Sequence, residues 1–298
     1  MTLRALYDVP APAKLNLFLH VVGRRADGYH LLQSLFVLID WTDTLHFERR
    51  SDARLQRHDL GAALPTDDLT LAAARLLQRE SGTPFGADLS IDKRVPWAAG
   101  LGGGSSDAAS TLLALNRLWG LGWSRARLGG LAAQIGADVP FFVGGCNALV
   151  EGIGEQLTPL AVPRQWLAVL KPAAGLATAA VFAHPALARD TPAAILSGFL
   201  ADAKQAEFWD SGGPAYGRND LQPPAEDCCP EVAQAAEWLR LHFGNSRMTG
   251  SGSAVFARNG MDDQPLQRWP ADAALPPGWV GRMCRSLDEH PLAGWASG

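Results

Sequence analysis

Cysteine is scarce in this chain: 298 residues hold four, Cys146, Cys228, Cys229 and Cys284. None has the C-x2-C spacing of a zinc framework. Adjacent Cys228 and Cys229 sit too close for ordinary disulfide geometry. A reduced, cytoplasmic protein is therefore expected. Apolar runs of the roughly 18 residues needed to span a bilayer are also missing. The start, MTLRALYDVPAPAKLNLFLHVVG, lacks the basic head, apolar centre and cleavage site of a secretory leader. Nor is there an excess of positive charge. Lys plus Arg number 26 against 30 Asp plus Glu, a net charge of −4. That argues against a nucleic-acid or anionic-membrane surface and points to a small-molecule partner. Monomer and homodimer stay equally open.

Hydrophobic residues at 47% and charged residues at 19% mark an ordinary globular chain, long enough for one large or two medium domains. Residues 13–21 alternate, with Leu15, Leu17, Leu19 and Val21 on one side and Lys14, Asn16, Phe18 and His20 on the other, which predicts a strand. LLQSLFVLIDW reads as a buried strand, and Thr44–Glu48 and Ala87–Ile91 as further short ones. Thr66-Asp67-Asp68 predicts the cap of a helix through LTLAAARLLQRE, ending near Gly82. Further helices are expected over Asp107–Trp119, over Ser124–Ile135 with Ser124 as cap, and over Glu231–Phe243. GADVPFFVGG is too short and irregular to predict a regular helix, and PAYGRNDLQPPAEDCCPEV reads as a polar connection. Residues 187–210 read as surface loop or helix without chemistry. WLAVLKP and the end of SRMTGSGSAVFA predict strands. Helices and strands without regular βαβ alternation predict an α+β fold with mixed or antiparallel sheets. A change of composition beyond Leu157 predicts two domains, 1–155 and 156–298.

The densest signal is Pro96-Trp97-Ala98-Ala99-Gly100-Leu101-Gly102-Gly103-Gly104-Ser105-Ser106, directly before a helix. Glycines permit positive φ and let successive N–H groups face one concavity, and a helix N-terminus adds further donors, an arrangement that suits phosphate. No Gly-Lys pair occurs in the chain, so this is no Walker A loop, and the G-x-G-x-x-G spacing also fails. Ser105 and Ser106 could cap the helix or offer hydroxyls to phosphate or Mg²⁺. Lys14 could be a solvated edge charge and Asp138 a turn cap. The functional alternative is a base beside a lysine that keeps it ionised, a pair only a fold can assemble.

Taken in order, PAKLNLFLHVVGRRADGYHLLQSLF, PWAAGLGGGSSDAA and MTGSGSAVFA resemble the three motifs of the GHMP kinase superfamily, with IDKRVP, GADVPFF and RNDLQPP between them. The resemblance implies a two-domain fold, with an N-terminal ATP-binding domain, a C-terminal domain contributing to substrate binding, and a glycine loop preceding a helix. It implies ATP and Mg²⁺ as cofactors, with no metal ligand specified. The implied reaction moves the γ-phosphate of ATP to the C2 hydroxyl of a cytidyl-linked sugar alcohol, 4-diphosphocytidyl-2-C-methyl-D-erythritol, on the non-mevalonate route to isoprenoid precursors. By the matching motifs, Asp138 is the implied base and Lys14 its partner. Asn16 would position the methylerythritol, Tyr29 and Phe182 would sandwich the cytosine, and His30 would hydrogen-bond it. Pro96 to Ser106 would cradle the triphosphate, with Lys93 on the adenine side. Where the family often has Asn-Leu, this chain reads Asp68-Leu69. The alternatives are another small-molecule kinase of the superfamily, or a nucleotide-binding protein without catalysis.

Overall fold

The computed structural model describes residues 3–66, 68–194, 218–261, 263–270 and 274–298. The chain opens with two long antiparallel strands, β1 (Ala5–Arg24) and β2 (His30–Arg50). β3 (Leu55–Asp59), α1 (Leu69–Ser81) and β4 (Gly86–Asp92) follow, then α2 (Gly103–Leu118), α3 (Arg125–Ile135) and α4 (Val139–Gly144). β5 (Ala148–Glu151) and β6 (Gln156–Pro159) complete a six-stranded sheet ordered β3-β4-β2-β5-β6, with β1 also on β2. Only the β3–β4 pair is parallel. The second half contains β7 (Trp166–Lys171), α5 (Thr178–Ala183), α6 (Gln222–Cys228), α7 (Pro230–Phe243), β8 (Arg247–Met248), β9 (Val255–Arg258) and β10 (Val280–Arg285). Its four-stranded antiparallel sheet runs β10-β7-β9-β8. Among the described residues no helix is long and apolar enough to cross a membrane.

Period-two alternation explains the stacking. On β2, Phe36, Leu38, Leu45 and Phe47 join α1–α4 in one core, while Leu35, Val37, Ile39 and Trp41 face the second sheet. On β7, Leu167 and Val169 meet that face, while Ala168 and Leu170 pack on α6 and α7. Helices therefore cover both outer faces, and the two sheets pack on each other between them. Both faces of β1 are buried, so Lys14, Asn16, Phe18 and His20 do not form a solvated side. The run LLQSLFVLIDW and the short strand expected over Thr44–Glu48 are one strand, β2, whose pairing with β1 continues through a register shift between Leu38 and Thr42. Across that bulge the residues facing the helices change from even-numbered to odd-numbered.

The predicted caps hold at α1, where Asp68 accepts from the Leu71 N–H at 3.0 Å, and at α3, where Ser124 accepts from the Arg127 N–H at 3.3 Å. α2 starts at Gly103, ahead of the expected Asp107, with Gly102 at its cap and no side-chain cap bond. Ser105 and Ser106 thus lie inside the helix and do not cap it. GADVPFFVGG does hold a helix, α4, since Pro140 in its first turn needs no donor there and Gly145 closes it in the left-handed region. The polar connection contains α6, again opened by prolines. The expectation for residues 187–210 lies outside the described residues from 195 onward, as does the start of that connection, 214–217.

Candidate active site

Lys14 and Asp138 meet. Lys14 Nζ lies 3.5 Å from Asp138 Oδ2 and donates to Asn16 Oδ1 at 2.7 Å, with the Phe36 ring centroid 4.5 Å away. Lys14 is 3% exposed, so its ammonium is satisfied by these partners in place of bulk water. Asp138 stands at the N-cap position of α4 yet makes no side-chain cap bond, and its side chain is 31% exposed. Both bland readings, solvated lysine and turn cap, therefore fall away. Asn16 stands behind Lys14: its Nδ2 donates to Ser34 Oγ at 2.8 Å, and its N–H to Thr249 Oγ1 at 2.8 Å. Ser34 and Thr249 escaped sequence reasoning, though Thr249 sits inside the quoted MTGSGS.

The glycine loop lies against this network. The Lys14 N–H donates to Leu101 O at 2.9 Å, and the Ser253 and Ala254 N–H groups donate to Ala98 O and Ala99 O at 3.3 and 3.1 Å. Gly100, at φ +74°, passes so close to the second glycine turn that a Cβ would lie 2.3 Å from Thr249 O. At Gly102, φ +70°, a Cβ would meet the Phe142 ring at 2.9 Å and Lys14 Cε at 3.2 Å. These two glycines are required by neighbouring protein. Gly104 differs, with nothing nearer than Leu69 Cδ1 at 3.9 Å.

Three cavities run together. One of about 400 Å³ is lined by Leu64, Asp68, Lys93, Asp107 and the loop from Pro96 to Ser105. Ser106 does not line it: that residue is fully buried, and its Oγ has no partner. Ala98, Gly100 and Gly102 are shared with a central cavity of about 280 Å³ that holds Lys14, Asn16, Asp138 and the Gly250–Gly252 turn. Asp138, Thr178 and Phe182 are shared in turn with a third cavity, about 720 Å³, where Tyr29 and His30 stand. The His30 and Phe182 rings are 5.2 Å apart, while Tyr29 is 61% exposed. Burial, with the charges of Arg189 and Arg24, holds His30 below the ordinary histidine range.

Lys93 lines the first cavity, but its ammonium is held by two carboxylates. It donates to Asp43 and, at 2.6 Å, to Asp107 Oδ2. Asp43 also accepts the Arg94 and Val95 N–H groups at 2.6 and 2.7 Å. Burial and the neighbouring Asp43 push Asp107 up to about 8 against the pull of Lys93, and its Oδ1 is buried without a hydrogen-bond partner. Asp107 sits in the quoted loop, whereas Asp43 gave no local signal. At the departure Asp68-Leu69, the carboxylate pairs with Arg57 at 3.0 Å while capping α1.

Residues 68–146 match the GHMP kinases N terminal domain, and residues 197–258 match the GHMP kinases C terminal model. A 4-diphosphocytidyl-2-C-methyl-D-erythritol kinase of Methylibium petroleiphilum is 65% identical over 296 residues, covering 99% of this chain and all of the relative. The chain belongs to the 4-diphosphocytidyl-2-C-methyl-D-erythritol kinase family of GHMP kinases. A crystal structure of a 4-(cytidine 5'-diphospho)-2C-methyl-D-erythritol kinase superposes on this GHMP kinase with TM-score 0.73 at 35% identity, covering 86% of this chain and 90% of that one. The Methanococcus jannaschii mevalonate kinase, at 12% identity, TM-score 0.63 and coverage of 96% and 99%, shares the fold alone.

Proposed function

We infer that this GHMP kinase transfers the γ-phosphate of ATP to the C2 hydroxyl of 4-diphosphocytidyl-2-C-methyl-D-erythritol, a step toward isoprenoid precursors. The observation that carries this is the Lys14–Asp138 pair at 3.5 Å, in the middle of three connected cavities. The first suits a nucleotide, with the backbone around Gly104 and the start of α2 facing the triphosphate. The third suits a base between aromatic groups, with Tyr29 and Phe182 as faces and His30 as hydrogen-bonding partner. The acceptor hydroxyl then lies in the central cavity. Asp138 takes its proton as the oxygen attacks. Lys14 pairs with Asp138 and offsets charge on the transferring group. Asn16 orients Lys14 and faces the methylerythritol.

Mg²⁺ fits the wall of the first cavity. The Lys93 ammonium is taken up by Asp43 and Asp107 and offers no free charge to a polyanion, and Asp107 Oδ1 is orphaned. Magnesium is commonly held by one or two carboxylates plus substrate phosphates, so Asp107 would hold it. When bound, the ion would neutralise phosphate charge. Lys93 fixes Asp107 and Asp43, so its ammonium stands beside the proposed cation and the phosphates and not on the adenine side that the resemblance implied.

We further propose that the chain divides near residue 155, with the first domain binding ATP and the second adding to the substrate site. The first sheet ends with β6 at Pro159 and the second begins at Trp166, so the division falls between these strands, a few residues beyond the expected 155. Phe182 and Gly250–Gly252 are the second half's contribution to the shared cavities. The free thiols support a reducing, cytoplasmic setting.

ADP release by the purified protein, supplied with Mg-ATP and 4-diphosphocytidyl-2-C-methyl-D-erythritol, mevalonate or homoserine, tests the reading. Turnover with the cytidyl compound alone is expected. Turnover with mevalonate or homoserine instead, or ATP binding without any turnover, would overturn it.

A further inference from the structure

Arg189 belongs to none of the sequence motifs, yet its guanidinium joins two walls of the third cavity. Nε donates to His30 Nε2 at 3.2 Å, Nη1 to Leu187 O at 3.0 Å, and Nη2 to Phe182 O at 3.2 Å and His184 O at 3.1 Å. A guanidinium only donates and keeps its proton. His30 Nε2 must therefore be the bare nitrogen of a neutral ring, which leaves the ring proton on Nδ1. A protonated His30 would set N–H against N–H beside a fixed positive charge. The same guanidinium holds the chain at Phe182, whose ring lies 5.2 Å from the His30 ring at an interplanar angle of 31°.

We propose that Arg189 is a positioning residue for base selection: it holds His30 as the Nδ1–H tautomer beside Phe182, so the cavity offers a fixed donor that suits cytosine and opposes uracil. The proposal rests on the base-pocket reading above. Cytosine presents lone pairs at N3 and O2, whereas uracil carries a hydrogen at N3. A donor fixed opposite a donor leaves both desolvated and unpaired, a penalty of about tenfold or more in affinity. A free imidazole would escape it by moving its proton to Nε2 and accepting through Nδ1. Arg189 removes that escape.

The test compares the wild type, Arg189→Gln, Arg189→Lys, His30→Gln and the double variant Arg189→Gln/His30→Gln, using the cytidyl acceptor and its uridine counterpart across neutral and mildly acidic pH. Arg189→Gln is expected to raise the acceptor KM about tenfold and to narrow the cytidine preference by a similar factor, the size of one hydrogen bond. kcat and the ATP KM stay within about twofold. Loss of the guanidinium also moves the acid limb of acceptor kcat/KM to higher pH, because Arg189 is one of the groups that lower the His30 pKa. The other ionisable groups on this cavity, Arg24, Asp27, Tyr29 and Asp138, are unchanged in these variants, as is neighbouring His184. Arg189→Lys regains the acid limb and part of the preference. In the His30→Gln background, Arg189→Gln narrows the preference no further. A preference that survives Arg189→Gln, with both acceptors weakened alike, would reduce Arg189 to a prop for backbone carbonyls and overturn the proposal. ¹⁵N imidazole shifts of wild-type His30 give an answer that needs neither a folded variant nor turnover: Nδ1–H is expected, and an Nε2–H ring sinks the idea. Absence of cytidyl turnover by the wild type would instead count against the function, leaving the tautomer measurement to judge this inference.

Discussion

On the proposed roles, Asp138 and Lys14 separate chemistry from binding at the level of single atoms. Asp138→Asn keeps the shape and the hydrogen-bonding reach of the side chain but removes its capacity to take a proton. It is expected to lower kcat by about 10²–10⁴ while ATP affinity, measured by calorimetry, stays within about twofold. Retention of near-normal turnover would remove Asp138 from the role of base. Asp107 makes a different prediction. If its orphaned Oδ1 takes the cation, Asp107→Asn weakens Mn²⁺ binding in the presence of a non-hydrolysable ATP analogue by about tenfold or more, read by electron paramagnetic resonance. Nucleotide binding without metal changes little, and unaltered Mn²⁺ affinity would place the ion elsewhere. Lys14 and Asp138 were legible in the sequence only through the motifs that surround them. Asp43 and Arg189 were not legible at all, because their partners Lys93 and His30 lie 50 and 159 residues away and no local spacing encodes such pairs.

At the scale of elements, the glycine loop illustrates what sequence can and cannot convey. Its composition correctly announced unusual backbone before a helix, but not that most of the freedom is used against protein. Gly100 gives way to Thr249 O, and Gly102 gives way to Phe142 and Lys14. Gly100→Ala is therefore expected to lower Tm and activity together, since it combines a left-handed residue with a Cβ 2.3 Å from a carbonyl. Gly104→Ala is expected to split the two readouts. The added Cβ meets only Leu69 at 3.9 Å, and Ala is the better helix former by about 1 kcal/mol, so Tm holds or rises. ATP affinity is expected to fall, on the proposal that this space takes the triphosphate. Equal ATP affinity would show that the triphosphate does not approach Gly104. The strands β1, β2, β4, β7 and β9 and the helices α1, α3 and α7 were readable from periodicity and caps, whereas the short strands β3, β5, β6, β8 and β10 were not predicted. The helices α4 and α6 were missed because proline in a first turn looks like a breaker in sequence, yet occupies the one part of a helix that needs no N–H.

Over the whole molecule, the chain returns after β10 to the first sheet. The Leu287 N–H donates to Leu38 O at 2.8 Å and the His290 N–H to Gly145 O at 2.8 Å, while Leu292 enters the core beneath α1–α4. Arg125 reaches across to the carbonyls of Val143 and Ala293. No sequence pattern announced this return, since its contacts are backbone pairings and single side chains. His290 records it energetically. The ring is almost fully buried, Nδ1 accepts from the Leu292 N–H at 3.1 Å, and Nε2 has no partner. Burial, then the charge of Arg125, pushes its pKa down to about 3 from the ordinary 6.5. Between these values the unfolded chain binds a proton that the folded protein does not. Stability is therefore complete above about pH 6.5 and declines by about 1.4 kcal/mol for each unit of acidification toward pH 3. At pH 5 the loss from this one residue comes to about 2 kcal/mol. His290→Gln removes the titrating group and keeps an acceptor for Leu292. The drop in unfolding free energy between pH 7 and pH 5, from urea titrations, is expected to shrink by about that 2 kcal/mol in the variant. An unchanged drop would mean that the His290 ring is reached by water and that the returning segment does not seal the first core.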